Sequence, residues 1–239
     1  MTKGYIFDYG GTLDTAGRHW GKVLWQAYRE QAVDVTENQF SEAYVHAERT
    51  LGRNPIIQSD YTFRKTLDIK LRIELEYLKD SNYLFVSEKE CLSLHDKMLE
   101  SLYEGVIRET ERSRRVLEEL GSDVPKVLVS NFYGNIGIVL KEFRLDGLFR
   151  SVIESAVVGI RKPDPRIFTL GVRALDMQPE EVTVVGDSFD KDIVPAKKAG
   201  CHAIWLKGEG WTEETFDETV PDKIITNLQE LTQLEKVKE

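Results

Sequence analysis

Short apolar runs recur along the second half of the chain: "KVLVSNF" (126–132), "SVIESAVVG" (151–159), "VTVVGDS" (182–188), "HAIWLK" (202–207) and "KIIT" (223–226). Helical stretches separate them, namely "GNIGIVLKEFRL" (134–145), "PRIFTLGVRALD" (165–176) and "KDIVPAKKAG" (191–200). Continuous apolar strands alternating with helices predict a parallel sheet covered on both faces, an α/β doubly wound core. "GYIFDY" (4–9) belongs to the same sheet, although it stands far upstream.

Residues 16–105 follow a different pattern and read as almost wholly helical. "WGKVLWQAY" sets Trp20, Val23, Leu24, Ala27 and Tyr28 at helical spacing. Thr36 with Gln39 forms a capping box ahead of Phe40, Ala43, Tyr44, Ala47 and Leu51. Ser87 with Glu90 opens another helix, carrying Cys91, Leu94, Met98 and Leu102, with Gly105 as its stop. "TLDIKLRIELEYLK" (66–79) alternates like a strand, but its Leu, Lys, Arg and Glu favour helix. As a helix it puts Leu67, Leu71, Leu75 and Leu78 on one face and Ile69, Ile73 and Tyr77 nearly opposite. That second face is core, or a contact with another subunit. The expected organisation is a catalytic core of residues 1–15 and 106–239 with a smaller all-helical insertion, 16–105.

Composition narrows the function. Net charge is −9 over 239 residues, so a nucleic-acid backbone is not an expected partner. No uncharged apolar run reaches membrane-spanning length, and the chain enters a strand without a basic start and long apolar segment. Cys91 and Cys201 form no CxxC pair and no disulfide framework. A cytoplasmic protein is expected.

In open α/β sheets ligands bind beyond the carboxyl ends of the strands. Those ends carry Asp8, Ser130 with Asn131, Asp187 with Ser188, and nearby Asp192, while Lys162 precedes a Pro-bounded helix start. Hard carboxylate oxygens suit Mg²⁺, which screens an acid from a phosphate dianion. Asp8 can then attack phosphorus and divide hydrolysis into two displacements. Ser130 and Lys162 would hold the phosphoryl oxygens, and Asn131 with the amides of Gly11 and Thr12 would complete a cradle.

"FDYGGTL", "VSNF", "GIRKPDP" and "VVGDSFDKD" stand in the order and spacing of the four motifs of the haloacid dehalogenase-like hydrolases. The resemblance spans the whole chain and implies a Rossmann-like core with a helical cap inserted between the first two motifs. It implies Asp8 as nucleophile and metal ligand, Gly10 as a carbonyl ligand and Asp187 as a further ligand. Ser130 and Lys162 would bind phosphate, and Asp192 would orient Lys162 or a metal-bound water. Arg18 and His19 stand where they could face substrate from the cap side, although a surface or hinge role is the plainer reading. Asp190 reads as a solvated helix-start acid, and Trp20 with Trp25 as core packing. His46, His95 and His202 receive no role.

Position 10 departs from the phosphatase pattern, which places a second aspartate there to protonate the leaving alkoxide. Loss of such a group removes about 10²–10⁴ in rate, or about 3–5 kcal/mol. Three readings stay open. The first is a sluggish Mg²⁺-dependent phosphohydrolase of a small phosphorylated metabolite, with Asp14, His19 or the substrate supplying the proton. The second, ranked below it, is a metal-free dehalogenase acting on carbon. The third is a phosphate-binding protein without turnover. The partner is a small substrate, and the chain a monomer or homodimer.

Overall fold

The computed structural model describes residues 2–211 and 215–236. Strand β1 (Gly4–Phe7) leads into four helices, α1 (Trp20–Glu30), α2 (Glu37–Arg53), α3 (Phe63–Asp80) and α4 (Glu88–Glu119). Then follow β2 (Lys126–Ser130), α5 (Ile136–Glu142), β3 (Ser151–Glu154), the single turn α6 (Ser155–Val158) and α7 (Arg166–Leu175). Strand β4 (Val182–Gly186), α8 (Val194–Lys198), β5 (His202–Leu206), β6 (Lys223–Ile225) and α9 (Glu230–Lys236) complete the order.

The six strands pair in parallel in the order β3-β2-β1-β4-β5-β6. The chain builds outward from β1 through β2 and β3, then returns to place β4 on the other side of β1. That reversal leaves a crevice beyond the tips of β1, β2 and β4. Side-chain alternation divides the core in two. Tyr5 and Phe7 join the cluster that continues into α1–α4, whereas Ile6 packs with Val127, Val129, Val184 and Phe168 on the opposite face.

Both expected capping boxes are present, at Thr36–Gln39 and Ser87–Glu90. The alternating segment 66–79 lies within helix α3, with Leu67, Leu71, Leu75 and Leu78 buried. Its other face is half-buried, and Tyr77 stacks on His46 of α2 with ring centroids 4.7 Å apart.

Two expected boundaries are corrected. Gly105 does not end α4, which runs on to Glu119 with Val106, Thr110, Ser113, Val116 and Leu117 buried along it. One glycine costs a helix about 1 kcal/mol, less than the apolar surface those residues bury. The stop is Gly121, at φ +85°. The run 151–159 is a strand only to Glu154 and then turns helically. The Glu154 carboxylate accepts the Gly134 and Ile136 amides at 2.6 and 3.4 Å, so it serves the start of α5 rather than extending the sheet.

The α3 N-terminus is anchored over the strand tips from below. Glu142, at the end of α5, accepts the Phe63 and Arg64 amides and the Tyr103 hydroxyl, an acid placed where the helix dipole favours it. Asn135 donates to the Tyr61 carbonyl at 2.8 Å and to Thr66 at 2.9 Å. Among the described residues no helix is long and apolar enough to cross a membrane.

Candidate active site

Asp8 leaves β1 with its amide donating to the Val185 carbonyl at 3.0 Å, which pins it against β4. Thr12 ties the two central tips together. Its hydroxyl lies 3.2 Å from Asp8 Oδ2 and 2.9 Å from Asp187 Oδ1, and it accepts the Asp187 amide at 3.1 Å. Gly11 permits this approach: it sits at φ +99°, and a Cβ there would lie 2.3 Å from the Asp187 carboxylate. Gly186 does the same for Asp192, which a Cβ would meet at 2.4 Å. The indole of Trp205 donates to the Asp187 carbonyl at 2.8 Å and fixes the second tip from β5.

Lys162 enters from the loop before α7. Asn131 holds that loop by a two-way clamp, donating to the Lys162 carbonyl and accepting its amide, both at 3.0 Å. The buried ammonium bonds Asp8 Oδ1 and reaches Asp192 Oδ1 at 2.7 Å. Asp192 Oδ2 in turn accepts the Ser188 amide at 3.0 Å.

Oxygens of Asp8, Asp187 and Asp192 all lie within 4.8 Å of one another. Three carboxylates thus face one ammonium. Burial, against the pull of Lys162, pushes the Asp8 carboxyl up to about 6. Burial, Asp8 and Asp192 push Asp187 well above the usual carboxylate range. Burial alone would lower Lys162, but Asp192 and Asp8 outweigh it and raise it. The set is short of positive charge, and its hard oxygen donors fit a divalent cation such as Mg²⁺.

The tips open into a cavity of about 170 Å³. Asp8, Gly10, Ser130, Asn131, Lys162, Asp187 and Asp192 line its floor, and His19 lines its side. The remaining expectations fall elsewhere. Arg18 turns outward to Gln26 and Glu209 and does not line the cavity. Gly11 and Thr12 lie behind the tips, the Gly11 amide donating to Asp14 at 2.7 Å. Asn131 lines the cavity, but both ends of its amide are engaged by the Lys162 main chain. Asp14 is buried and accepts from Gly11 and from the Trp20 indole (3.0 Å), with burial pushing it up to about 7. It braces the loop and is not a lining residue.

His19 caps α1, its Nδ1 accepting the Gly21 amide at 3.0 Å. Burial, Lys191 and Lys70 push its pKa down to about 4, so the ring is neutral and its proton sits on Nε2. Trp20 is more than core packing, since it lines the cavity beside Phe63.

Sequence reasoning passed over the upper wall. Tyr44 and Glu48 of α2, Lys70 of α3, and Phe132 with Tyr133 after β2 line it. A signal was available: Lys70 and Glu74 fall on the same helical stripe as Leu67, Leu71, Leu75 and Leu78, where charge is costly.

The haloacid dehalogenase-like hydrolase family model matches residues 2–200. A glyceraldehyde 3-phosphate phosphatase of Pyrococcus furiosus is 35% identical over 36% of this chain and 37% of its own length. A phosphoserine phosphatase of Thermus thermophilus is 39% identical over 35% of this chain and 32% of its own length. Those alignments span about a third of each relative. The fold of a dehalogenase crystal structure with an intermediate complex is shared over 98% of this chain and 96% of that one, at TM-score 0.65 and 19% identity.

Proposed function

Because the chain belongs to the haloacid dehalogenase-like hydrolases, we propose that it is a Mg²⁺-dependent phosphohydrolase of a small phosphomonoester, with Asp8 as nucleophile. The carrying observation is the surplus of carboxylate at the strand tips, three acids within 4.8 Å around one ammonium. Relatives named as phosphatases support the same reading.

Asp8, Asp187 and the Gly10 carbonyl would hold the ion. When bound it would screen the repulsion between carboxylate and phosphate and polarise a phosphoryl oxygen. An Asp8 carboxylate oxygen attacks phosphorus, and the ester P–O bond breaks with its electron pair leaving on the alcohol oxygen. Lys162, held by Asp192, and the Ser130 hydroxyl bind the phosphoryl oxygens as charge spreads over them. Water then attacks phosphorus of the aspartyl-phosphate, releasing phosphate and restoring Asp8. The neutral His19 offers a fixed Nε2–H to the departing oxygen, a weaker aid than the carboxylic acid that Gly10 lacks. Helices α1–α3 and the first half of α4, residues 16–105, act as the cap that excludes water.

Phosphate release from p-nitrophenyl phosphate should require added Mg²⁺ and stop with EDTA and with Asp8→Asn. Chloride release from a 2-haloacid in EDTA, without phosphatase activity, would replace this reading by the carbon-directed one.

A further inference from the structure

The floor of the cavity explains how a phosphoryl group is held and leaves the opposite wall without a role. That wall carries a second buried lysine. Lys70 lies on the apolar stripe of α3, 7% exposed, and its ammonium bonds the Glu48 carboxylate of α2. Tyr133, from the loop after β2, donates to both Glu48 oxygens at 3.2 and 3.3 Å. The Tyr44 ring lies 4.6 Å from the Lys70 ammonium. Glu48 is the hydrogen-bond acceptor of that ammonium among the described residues.

An ammonium carries three donors, and one carboxylate does not exhaust them. Burying such a pair inside a helical unit is not a route to stability, because apolar residues of like volume serve as well or better. Its position on the cavity wall gives it another use. Burial would lower Lys70 and raise Glu48, but each outweighs that for the other, so both stay charged. The pair is therefore neutral in sum, with a donor and an acceptor side by side, while Arg161 and Lys191 line the same cavity.

A carboxylate on the leaving group would accept from Lys70 but has no proton to give Glu48, whose like charge repels it. A hydroxyl adds no charge, donates one hydrogen bond and accepts another. Room is also limited. About 170 Å³ is close to the roughly 150 Å³ of a cavity that admits benzene, so a phosphoryl group and a short chain fill it.

We propose that Lys70 and Glu48 are specificity determinants that read a hydroxyl on the leaving group, and that the substrate class is a short-chain, hydroxylated phosphomonoester whose alcohol carries no charge. The assignment rests on the phosphohydrolase reading. Glu48 accepts the hydroxyl proton, Lys70 donates to its oxygen, and Tyr133 keeps Glu48 in place.

Three esters of equal length test it on the full chain with Mg²⁺: glycerol 3-phosphate, propyl phosphate and 3-phosphoglycerate. Glycerol 3-phosphate should exceed propyl phosphate in kcat/KM by about 10–100-fold, the worth of one hydrogen bond to a charged group, and should also exceed 3-phosphoglycerate. Lys70→Met and Glu48→Gln should each bring the first ratio close to one, while Lys70→Arg keeps most of it. Because each ratio compares two substrates on one protein sample, partial misfolding cancels. A wild-type ratio near one, a preference for 3-phosphoglycerate, or a preference that survives both substitutions overturns the assignment. Should no ester be turned over, the phosphohydrolase reading fails by itself. Calorimetric affinities of the same three esters in Mg²⁺ then decide the role of Lys70 by the same ratios.

Discussion

Two buried lysines face one cavity from opposite sides, and their surroundings differ by a charge. Lys162 meets Asp8 and Asp192 with Asp187 close by, whereas Lys70 bonds the single carboxylate of Glu48 among the described residues. The floor is left with excess negative charge, which on the proposed reading a divalent cation and then a phosphoryl group exploit. The Lys70–Glu48 pair is balanced, so it can order dipoles without demanding an ion. On this proposal catalysis and selectivity are divided between a surplus and a neutrality, each set by which carboxylates the fold gathers around an ammonium.

The largest effect should come from the surplus. Asp8→Asn removes the nucleophile and should lower kcat on p-nitrophenyl phosphate by at least about 10⁴-fold, with a smaller Mg²⁺-induced rise in Tm. Lys162→Met leaves buried carboxylates without their cation and should cost about 3–5 kcal/mol in urea unfolding of the metal-free chain. Added Mg²⁺ should narrow that gap to wild type, and leave the gap between Lys70→Met and wild type unchanged. Equal rescue of both variants would erase the distinction between floor and wall.

Gly10→Asp tests the floor in the other direction. A Cβ at Gly10 meets nothing within 4 Å, so the missing acid can be added without a clash. Turnover of alkyl phosphates should rise by about 10²-fold, and that of aryl phosphates, whose leaving groups scarcely need a proton, by less. A uniform rise would mean that protonation is not what the wild type lacks.

The smallest effect concerns stability among the helices between β1 and β2. Glu74 is fully buried, Tyr28 donates to its Oε2 at 3.3 Å, and its Oε1 has no partner among the described residues. Burial, against the pull of Lys70, pushes it up to about 7 from 4.5. A carboxyl raised in the folded state contributes stability below about pH 4.5 that is lost as pH climbs through about 7. Glu74→Gln should therefore match the wild type in unfolding free energy near pH 5 and exceed it near pH 8, by on the order of 3 kcal/mol at most. Parallel pH curves for the two proteins would show that Glu74 is not the titrating group.

Local patterns in the chain carried much of this. Val- and Ile-rich runs announced β1, β2, β4, β5 and β6, because a strand buried on both faces must be apolar throughout. Asp8, Ser130, Lys162, Asp187 and Asp192 were legible because strand-end chemistry is written in contiguous residues. The wall was not, because Glu48, Lys70 and Tyr133 come from three separate elements and form no motif. Trp20 was read as packing since its helical spacing suits a core, and the cavity it also borders exists only once α1 and α3 are docked. Gly105 misled because helix propensity is a matter of about 1 kcal/mol, which burial along one face of α4 overrides.

By itself the sequence determined the parallel sheet, the helical insertion and the identity of the acids and the lysine at the strand tips. These follow from short-range rules of side-chain period, capping and residue chemistry. The tertiary structure alone decided that Lys70 pairs with Glu48, that His19 is held neutral, that Arg18 faces away and that Asp14 is buried against Gly11 and Trp20. Burial and charge balance are sums over neighbours brought together by folding, and no window of consecutive residues contains them.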